Sequence, residues 1–157
     1  MMTTDQKGAI AEAAIAWFAL KLGVEVYKPI ADGGRCDLIL GVDNRLVRVQ
    51  CKWAQLEGDV INVRCYSCRR NRYGLVKRTY APGEVDAFAA YCPQLDRCYF
   101  LPYELFNGQS QISLRVTPAK NNQSLGVNWA SSYDFEATLG AGPGAVAQLG
   151  ERRAGSA

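Results

Sequence analysis

Apolar and polar residues alternate from Val47 to Lys52, which places Val47, Val49 and Cys51 on one face of a strand and Arg48, Gln50 and Lys52 on the other. The apolar run Leu38-Ile39-Leu40 precedes it, and Asp43-Asn44 lies between the two. Asn tolerates the left-handed backbone of a tight turn, so the pattern predicts a β-hairpin. Chain reversal then brings Asp37, at the start of the first strand, close to Lys52 at the end of the second. Upstream, Thr3 followed by Gln6 has the form of a capping box, and Gly23 suits a helix stop. The helix between them carries Ile10, Ala13, Ala14, Trp17 and Leu20 on one side and Gly8, Ile15, Ala16 and Ala19 around Glu12 on the other. It is therefore expected to be buried nearly all round, with Glu12 needing a cationic partner, either a metal ion or Lys52.

Downstream, Val85 to Tyr91 and Arg97 to Leu101 flank the turn Pro93-Gln94-Leu95-Asp96 and read as paired strands beside the hairpin, although Val85 to Ala90 also suits the start of a helix. Tyr103 to Phe106 predicts a short helical turn, Gln111 to Val116 an edge strand, and Trp129, Tyr133 and Phe135 an aromatic cover for the sheet. Residues 1–138 are expected to form one domain. From 139 to 157 the composition turns to Gly and Ala, which cannot bury enough surface to offset the entropy of ordering, and a flexible tail is expected.

At 157 residues and 48% hydrophobic, the chain suffices for one core. It has no apolar run long enough for a bilayer and no basic-then-apolar leader, so no membrane association and a cytoplasmic location are expected. The net charge of +3 says little about partners. Its distribution says more, because the segment from Arg64 to Arg78 holds six cations and no acid. Arg69, Arg70, Arg72, Lys77 and Arg78 can neutralise backbone phosphates, and Tyr66, Tyr73 and Tyr80 can pack on sugars or bases. Asn71 and Gly74 suggest that this segment is a loop. The competing reading is a solvated basic surface balanced by Glu57, Asp59, Glu84 and Asp86.

Hydrolysis of a phosphodiester requires charge on the phosphate to be neutralised and a water to be activated. Carboxylate and amide oxygens suit Mg²⁺, and a lysine beside them can hold the water or stabilise developing charge. Asp37, Gln50 and Lys52 have those groups. The same residues also read as a loop-capping acid and a solvated strand end, and their spacing alone does not separate the two.

Taken with Lys7-Gly8-x-x-Ala11-Glu12, the run Tyr80-x-x-Gly83-Glu84-Val85-Asp86, Cys98-Tyr99-Phe100-Leu101-Pro102 and Asn128-Trp129-Ala130, these residues resemble the PD-(D/E)xK nuclease superfamily. The resemblance is specifically to its small, intron-associated branch of homing-endonuclease-like proteins. The resemblance implies an α/β, restriction-endonuclease-like fold with a mixed, largely antiparallel sheet flanked by helices. It implies Asp37, Glu12 and Gln50 as ligands of Mg²⁺, for which Mn²⁺ is expected to substitute, and Lys52 as the catalytic lysine. Gln50 departs from the usual Asp or Glu, as it does in the homing-endonuclease-like branch, and Cys36 stands where the motif's name puts proline. The substrate implied is double-stranded DNA, cut by a homodimer or homotetramer because one site cuts one strand.

Two alternatives share parts of this reading. A Holliday-junction resolvase uses the same site in a dimer and selects substrate by shape. A non-catalytic DNA-binding module can instead be stapled by zinc through Cys65, Cys68, Cys92 and Cys98. The last two cysteines are separated by a turn rather than by two residues, so free thiols are the simpler account. With no histidine among the 157 residues, a histidine-dependent metal or nucleophile site is excluded.

Overall fold

The computed structural model describes residues 1–106, 108–118 and 125–140; the expected tail lies, beyond Gly140, outside the described residues. Helix α1 (Thr4–Lys21) begins with the expected capping box, in which the Thr3 hydroxyl accepts from Gln6 N–H at 3.1 Å and the Gln6 side chain accepts from Thr3 N–H at 2.8 Å. Gly23, with φ of 78°, follows its end.

Strands β1 (Glu25–Tyr27), β2 (Leu38–Val42) and β3 (Arg45–Trp53) follow α1. Asp43 and Asn44 have φ of 52° and 60°, the double left-handed turn that closes β2 on β3. The short strand β4 (Gln55–Glu57) leads into β5 (Val60–Arg64), followed by β6 (Tyr66–Asn71) and β7 (Gly74–Thr79). Next are β8 (Ala87–Cys92), β9 (Arg97–Pro102), a 3-10 turn at Tyr103–Leu105, and β10 (Gln111–Arg115). Short helices α2 (Ala130–Tyr133) and α3 (Phe135–Leu139) complete the described chain.

The main sheet has the order β1-β2-β3-β8-β9, antiparallel throughout except where β8 runs parallel to β3. This matches the expectation of a mixed, largely antiparallel sheet with the hairpin at its centre. The Val85 segment takes the strand option from Ala87 on. Asp86 fixes that start: its N–H donates to the Arg48 carbonyl at 2.9 Å and its carboxylate accepts from Arg48 N–H at 2.8 Å.

The apolar set of β3 enters the core as expected, and a second core lies on the other face of the sheet. Val49 and Cys51 join Ala89 and Phe100 under Ile15 and Ala19 of α1 and Phe135 of α3. On the other face, Phe88, Ala90 and Leu101 meet Ile61, Val63 and Ile112 of the small sheet β10-β5-β4. Burying one such large side chain contributes about 1.5–3 kcal/mol. Tyr133 and Phe135 are buried as expected of an aromatic cover, and Trp129 is half-buried.

Two expectations need correction. Helix α1 is not buried all round: its buried residues are Ala11, Ile15 and Ala19, a single stripe at four-residue spacing. Trp17 and Leu20 are 55% and 59% exposed, because the helix lies on one sheet face and no other described segment covers its outer side. The basic segment is not a loop either. It is the β6–β7 hairpin, paired from Tyr66↔Thr79 to Asn71↔Gly74 with Arg72-Tyr73 at the tip. Neither face of β7 is buried, so no apolar alternation announces it.

Candidate active site

The hairpin register sets the site. Asp37 N–H donates to the Val49 carbonyl at 2.8 Å, continuing the β2–β3 ladder by one residue, and Cys51 N–H donates back to Asp37 Oδ2 at 2.9 Å. The acid is thereby held against the strand that carries Gln50 and Lys52 on either side of Cys51. Burial raises the Asp37 pKa, and the Glu12 charge raises it further; the Cys51 N–H bond, Lys52 and Lys28 act in the opposite direction without reversing it.

Lys52 projects to the opposite face from Cys51. Its Nζ donates to the Tyr66 carbonyl at 2.9 Å and stands 5.3 Å from the centroid of the Tyr80 ring. Burial lowers its pKa, and Arg35 lowers it further, against the pull of Asp37. A partly desolvated lysine of this kind loses its proton more readily than an exposed one.

Gln50 shares that face. Its Oε1 is buried and has no hydrogen-bond partner among the described residues, a condition that costs about 1–3 kcal/mol unless something else meets the oxygen. Glu12 is half-buried on α1 and pairs with Lys28 Nζ at 2.7 Å. Of the two expected cationic partners, a metal ion or Lys52, the lysine is not the one that pairs with Glu12; Lys28 is. Glu12 still stands near enough to Asp37 for its charge to be felt there. Asp37, Gln50 and Lys52 thus stand at one end of the central hairpin, with Glu12 on the helix that packs on the opposite face of β3 from Gln50 and Lys52. Among the described residues no group of three or more His, Cys, Asp or Glu could hold a metal ion; the two carboxylates and the amide oxygen are hard donors of the type that suits Mg²⁺.

Arg69, Arg70, Arg72, Lys77 and Arg78 are all exposed on β6–β7, whose first residue supplies the carbonyl that holds Lys52. They are not equally free. Arg78 donates to Glu84 at 2.9 Å, Lys77 lies over the Tyr66 ring at 3.9 Å, and Arg72 bonds the Tyr73 hydroxyl. Tyr80, expected as a surface for sugars or bases, is instead 6% exposed and packs edge-on to Phe88.

Sequence reasoning missed Lys28 and Arg35. Lys28 follows a three-residue strand and has no distinguishing pattern. Arg35 directly precedes Cys36 and Asp37, and that adjacency is the one signal that could have found it.

The zinc reading fails on sheet parity. Cys92 packs with the small-sheet core and Cys98 with the α1 core, on opposite faces of the main sheet. Cys65 is buried while Cys68 is exposed, and burial pushes the Cys65 thiol up to about 12. Among the described residues all six cysteines are free.

The family described as PD-(D/E)XK endonuclease matches residues 2–136 of the chain. Among solved structures, that of a bacterial homing endonuclease, I-Ssp6803I, is similar over 96% of this chain and 97% of its own, with 28% sequence identity and a TM-score of 0.71. A comparison with curated protein sequences gives no match.

Proposed function

From the premise that the chain belongs to the PD-(D/E)XK endonuclease family, with the mixed α/β, restriction-endonuclease-like fold of its structural neighbour, we propose that it is a Mg²⁺-dependent endonuclease. The substrate in this reading is double-stranded DNA, and the similarity to a homing endonuclease favours recognition of a defined site. The observation that carries the reading is the Asp37 carboxylate clamped by Cys51 N–H, against the strand that carries Lys52 and Gln50, whose buried oxygen has no hydrogen-bond partner among the described residues.

Asp37, Gln50 and Glu12 are the residues that would hold the ion. Once bound there, it supplies positive charge to the phosphate and acidifies water, and Mn²⁺ has suitable chemistry to replace it. Lys52 lies on the same face as Gln50, where its nitrogen can orient the attacking water or stabilise charge on the phosphate. Cys51 N–H keeps Asp37 pointed at that place. Arg69, Arg70, Arg72 and Lys77 supply backbone-phosphate contacts alongside, with Arg78 partly committed to Glu84. Residues 1–138 are the nuclease domain in this reading. Cutting both strands requires two sites, hence a homodimer or homotetramer.

The test is incubation of the protein with plasmid and genomic DNA in Mg²⁺, in chelator, and with Lys52→Ala. Metal-dependent cutting by the wild type and none by the variant is the expected result. Equal cutting by Lys52→Ala would remove the proposed site, and preference for four-way junctions over linear duplex would move the substrate to branched DNA.

A further inference from the structure

Arg35 is given no role in the chemistry above, yet it contacts the Tyr80 ring beside Lys52 and residues adjacent to, and paired with, the Tyr66 that accepts from Lys52. From the loop before β2 its guanidinium reaches both strands of β6–β7 at their root. One terminal nitrogen donates to Ser67 Oγ at 3.0 Å and the other to the Thr79 carbonyl at 2.8 Å. Its Nε donates to Glu84 at 3.0 Å, and Glu84 is itself fixed by Arg78 at 2.9 Å and by the Ala81 N–H at 3.2 Å. The guanidinium lies 3.7 Å from the centroid of the Tyr80 ring, the same ring that stands 5.3 Å from Lys52 Nζ.

The geometry converges on the lysine. Tyr66, whose carbonyl accepts from Lys52, is the cross-strand partner of Thr79, whose carbonyl accepts from Arg35. A lysine side chain is a flexible four-carbon stem, so its nitrogen stays in one place only if its acceptor does. Both strands that present that acceptor are bolted by one planar fork. The Arg35 side chain is 21% exposed and engaged on each of its three nitrogens, which leaves it little to offer a phosphate.

Resting on the nuclease reading, we propose that Arg35 is a positioning residue for strand cleavage: anchored by Glu84, it fixes the root of the β6–β7 hairpin and the Tyr80 ring, so that the Tyr66 carbonyl and that ring hold the Lys52 ammonium at the site. Through the same bolt, the arm that carries the basic residues and the lysine of the site are one mechanical unit. Glu84 is the second member of the pair. Its side chain is 24% exposed and its carboxylate joins Arg35, Arg78 and Ala81.

Arg35→Lys is the informative variant, because it keeps the charge but cannot reach Ser67, Thr79 and Glu84 together. On plasmid DNA in Mg²⁺, Arg35→Lys and Arg35→Ala should each lower kcat by about 10- to 100-fold, the scale of a small misplacement of a reacting group. KM and the DNA dissociation constant should stay within about threefold. A second readout does not depend on cleavage: reductive methylation of Lys52, followed by peptide mass spectrometry, should proceed several-fold faster in Arg35→Lys and in Glu84→Gln. Glu84→Gln retains Arg35 and loses only the charged anchor, so it carries the test if the Arg35 variants fail to fold. Unchanged kcat and unchanged Lys52 reactivity in a folded Arg35→Lys would overturn the proposal. So would a loss confined to KM in Arg35→Ala with full activity in Arg35→Lys, which is the signature of a phosphate contact. Wild-type protein that cuts no DNA would overturn the nuclease reading instead, and the reactivity of Lys52 would still decide whether Arg35 holds it.

Discussion

The carboxylate of Asp37 accepts the backbone N–H of Cys51 at 2.9 Å, so the acid is tied to the residue that separates Gln50 from Lys52. Charge and clamp can be pulled apart by substitution. Asn at position 37 still offers an oxygen to Cys51 N–H, whereas Ala leaves that buried donor unpaired at a cost of about 1–3 kcal/mol.

Asp37→Asn is therefore expected to fold as well as the wild type or better, and to lose cleavage by about 100- to 1,000-fold or more, as when a group that stabilises the transition state is removed. The sign of the stability change follows from the raised pKa. An acid whose folded value lies above its unfolded one destabilises the fold where it is ionised, and ceases to do so once the pH falls below the unfolded value. Melting in metal-free buffer should thus be higher for Asp37→Asn at pH 7 and converge with the wild type below about pH 4. A lower melting temperature for Asp37→Asn at pH 7 would show that the carboxylate is not held against its own solvation.

That Asp37 and Lys52 come to the same end of the hairpin is legible in the sequence because strand alternation and the Asp43-Asn44 turn fix a register without help from the rest of the chain. The apolar face of β3 follows from the same period, whereas the second core, to which β3 contributes no buried residue, does not. Exposure is harder to read. Ala, Ile, Trp and Leu surround α1 on all sides, and only the fold decides that Ala11, Ile15 and Ala19 meet the sheet while Trp17 does not. Strand β7 is exposed along its length and so lacks the alternation that identifies strands; Asn71 and Gly74 then look like loop residues although they close a hairpin. Lys28 and Arg35 act through neighbours distant in sequence, Glu12 and Glu84, and no local pattern encodes such a pair. The parity that separates Cys92 from Cys98 depends on the length of the turn between them.

Gln50 Oε1 is buried without a hydrogen-bond partner among the described residues, which predicts a conflict between stability and function. Gln50→Leu should remove the unmet oxygen and melt at or above the wild-type temperature in metal-free buffer. The same variant should lose the stabilisation that Mg²⁺ confers, about 2.7 kcal/mol for a wild type held at 100 times its dissociation constant. Thermal melts with and without Mg²⁺ measure both effects. Equal stabilisation of the two proteins by Mg²⁺ would take Gln50 out of the ligand set.

Asp86 bears on acid stability. Burial raises its carboxyl pKa, but the Arg48 side chain and the Arg48 N–H outweigh that and hold it below the usual carboxylate range. A depressed acid contributes stability that is present above its unfolded value, about 3.9, and is lost as the pH falls through the folded value. The wild type should therefore lose stability over that interval more steeply than Asp86→Asn. Both side chains of the pair are more than 40% exposed, so solvent screening keeps the difference small, and chemical denaturation across the acid range is the suitable measurement. Parallel pH profiles for the two proteins would show that the register of β8 on β3 does not depend on this charge.

The β6–β7 hairpin separates binding from catalysis residue by residue. Arg69 and Arg70 sit on successive positions of β6, hence on opposite faces of an arm that is exposed on both. A ribbon with cations on both faces can meet two phosphate rows, as in a groove, or only one, as on a surface. The two cases differ in salt dependence, since each phosphate contact adds about 0.9 to the slope of log K against log salt. If the arm enters a groove, Arg69→Ala and Arg70→Ala should each lower that slope by about 0.9, and the double variant should lower it by about twice as much. If it lies flat, only one of the two will move it. Cleavage at saturating DNA should stay close to wild type in both single variants, because neither side chain contacts Lys52, Asp37 or Gln50. Arg78→Ala should behave differently: its guanidinium is spent on Glu84, so the slope should change little while kcat falls with the loosened anchor. An unchanged salt slope in the Arg69, Arg70 double variant would take DNA off this arm altogether.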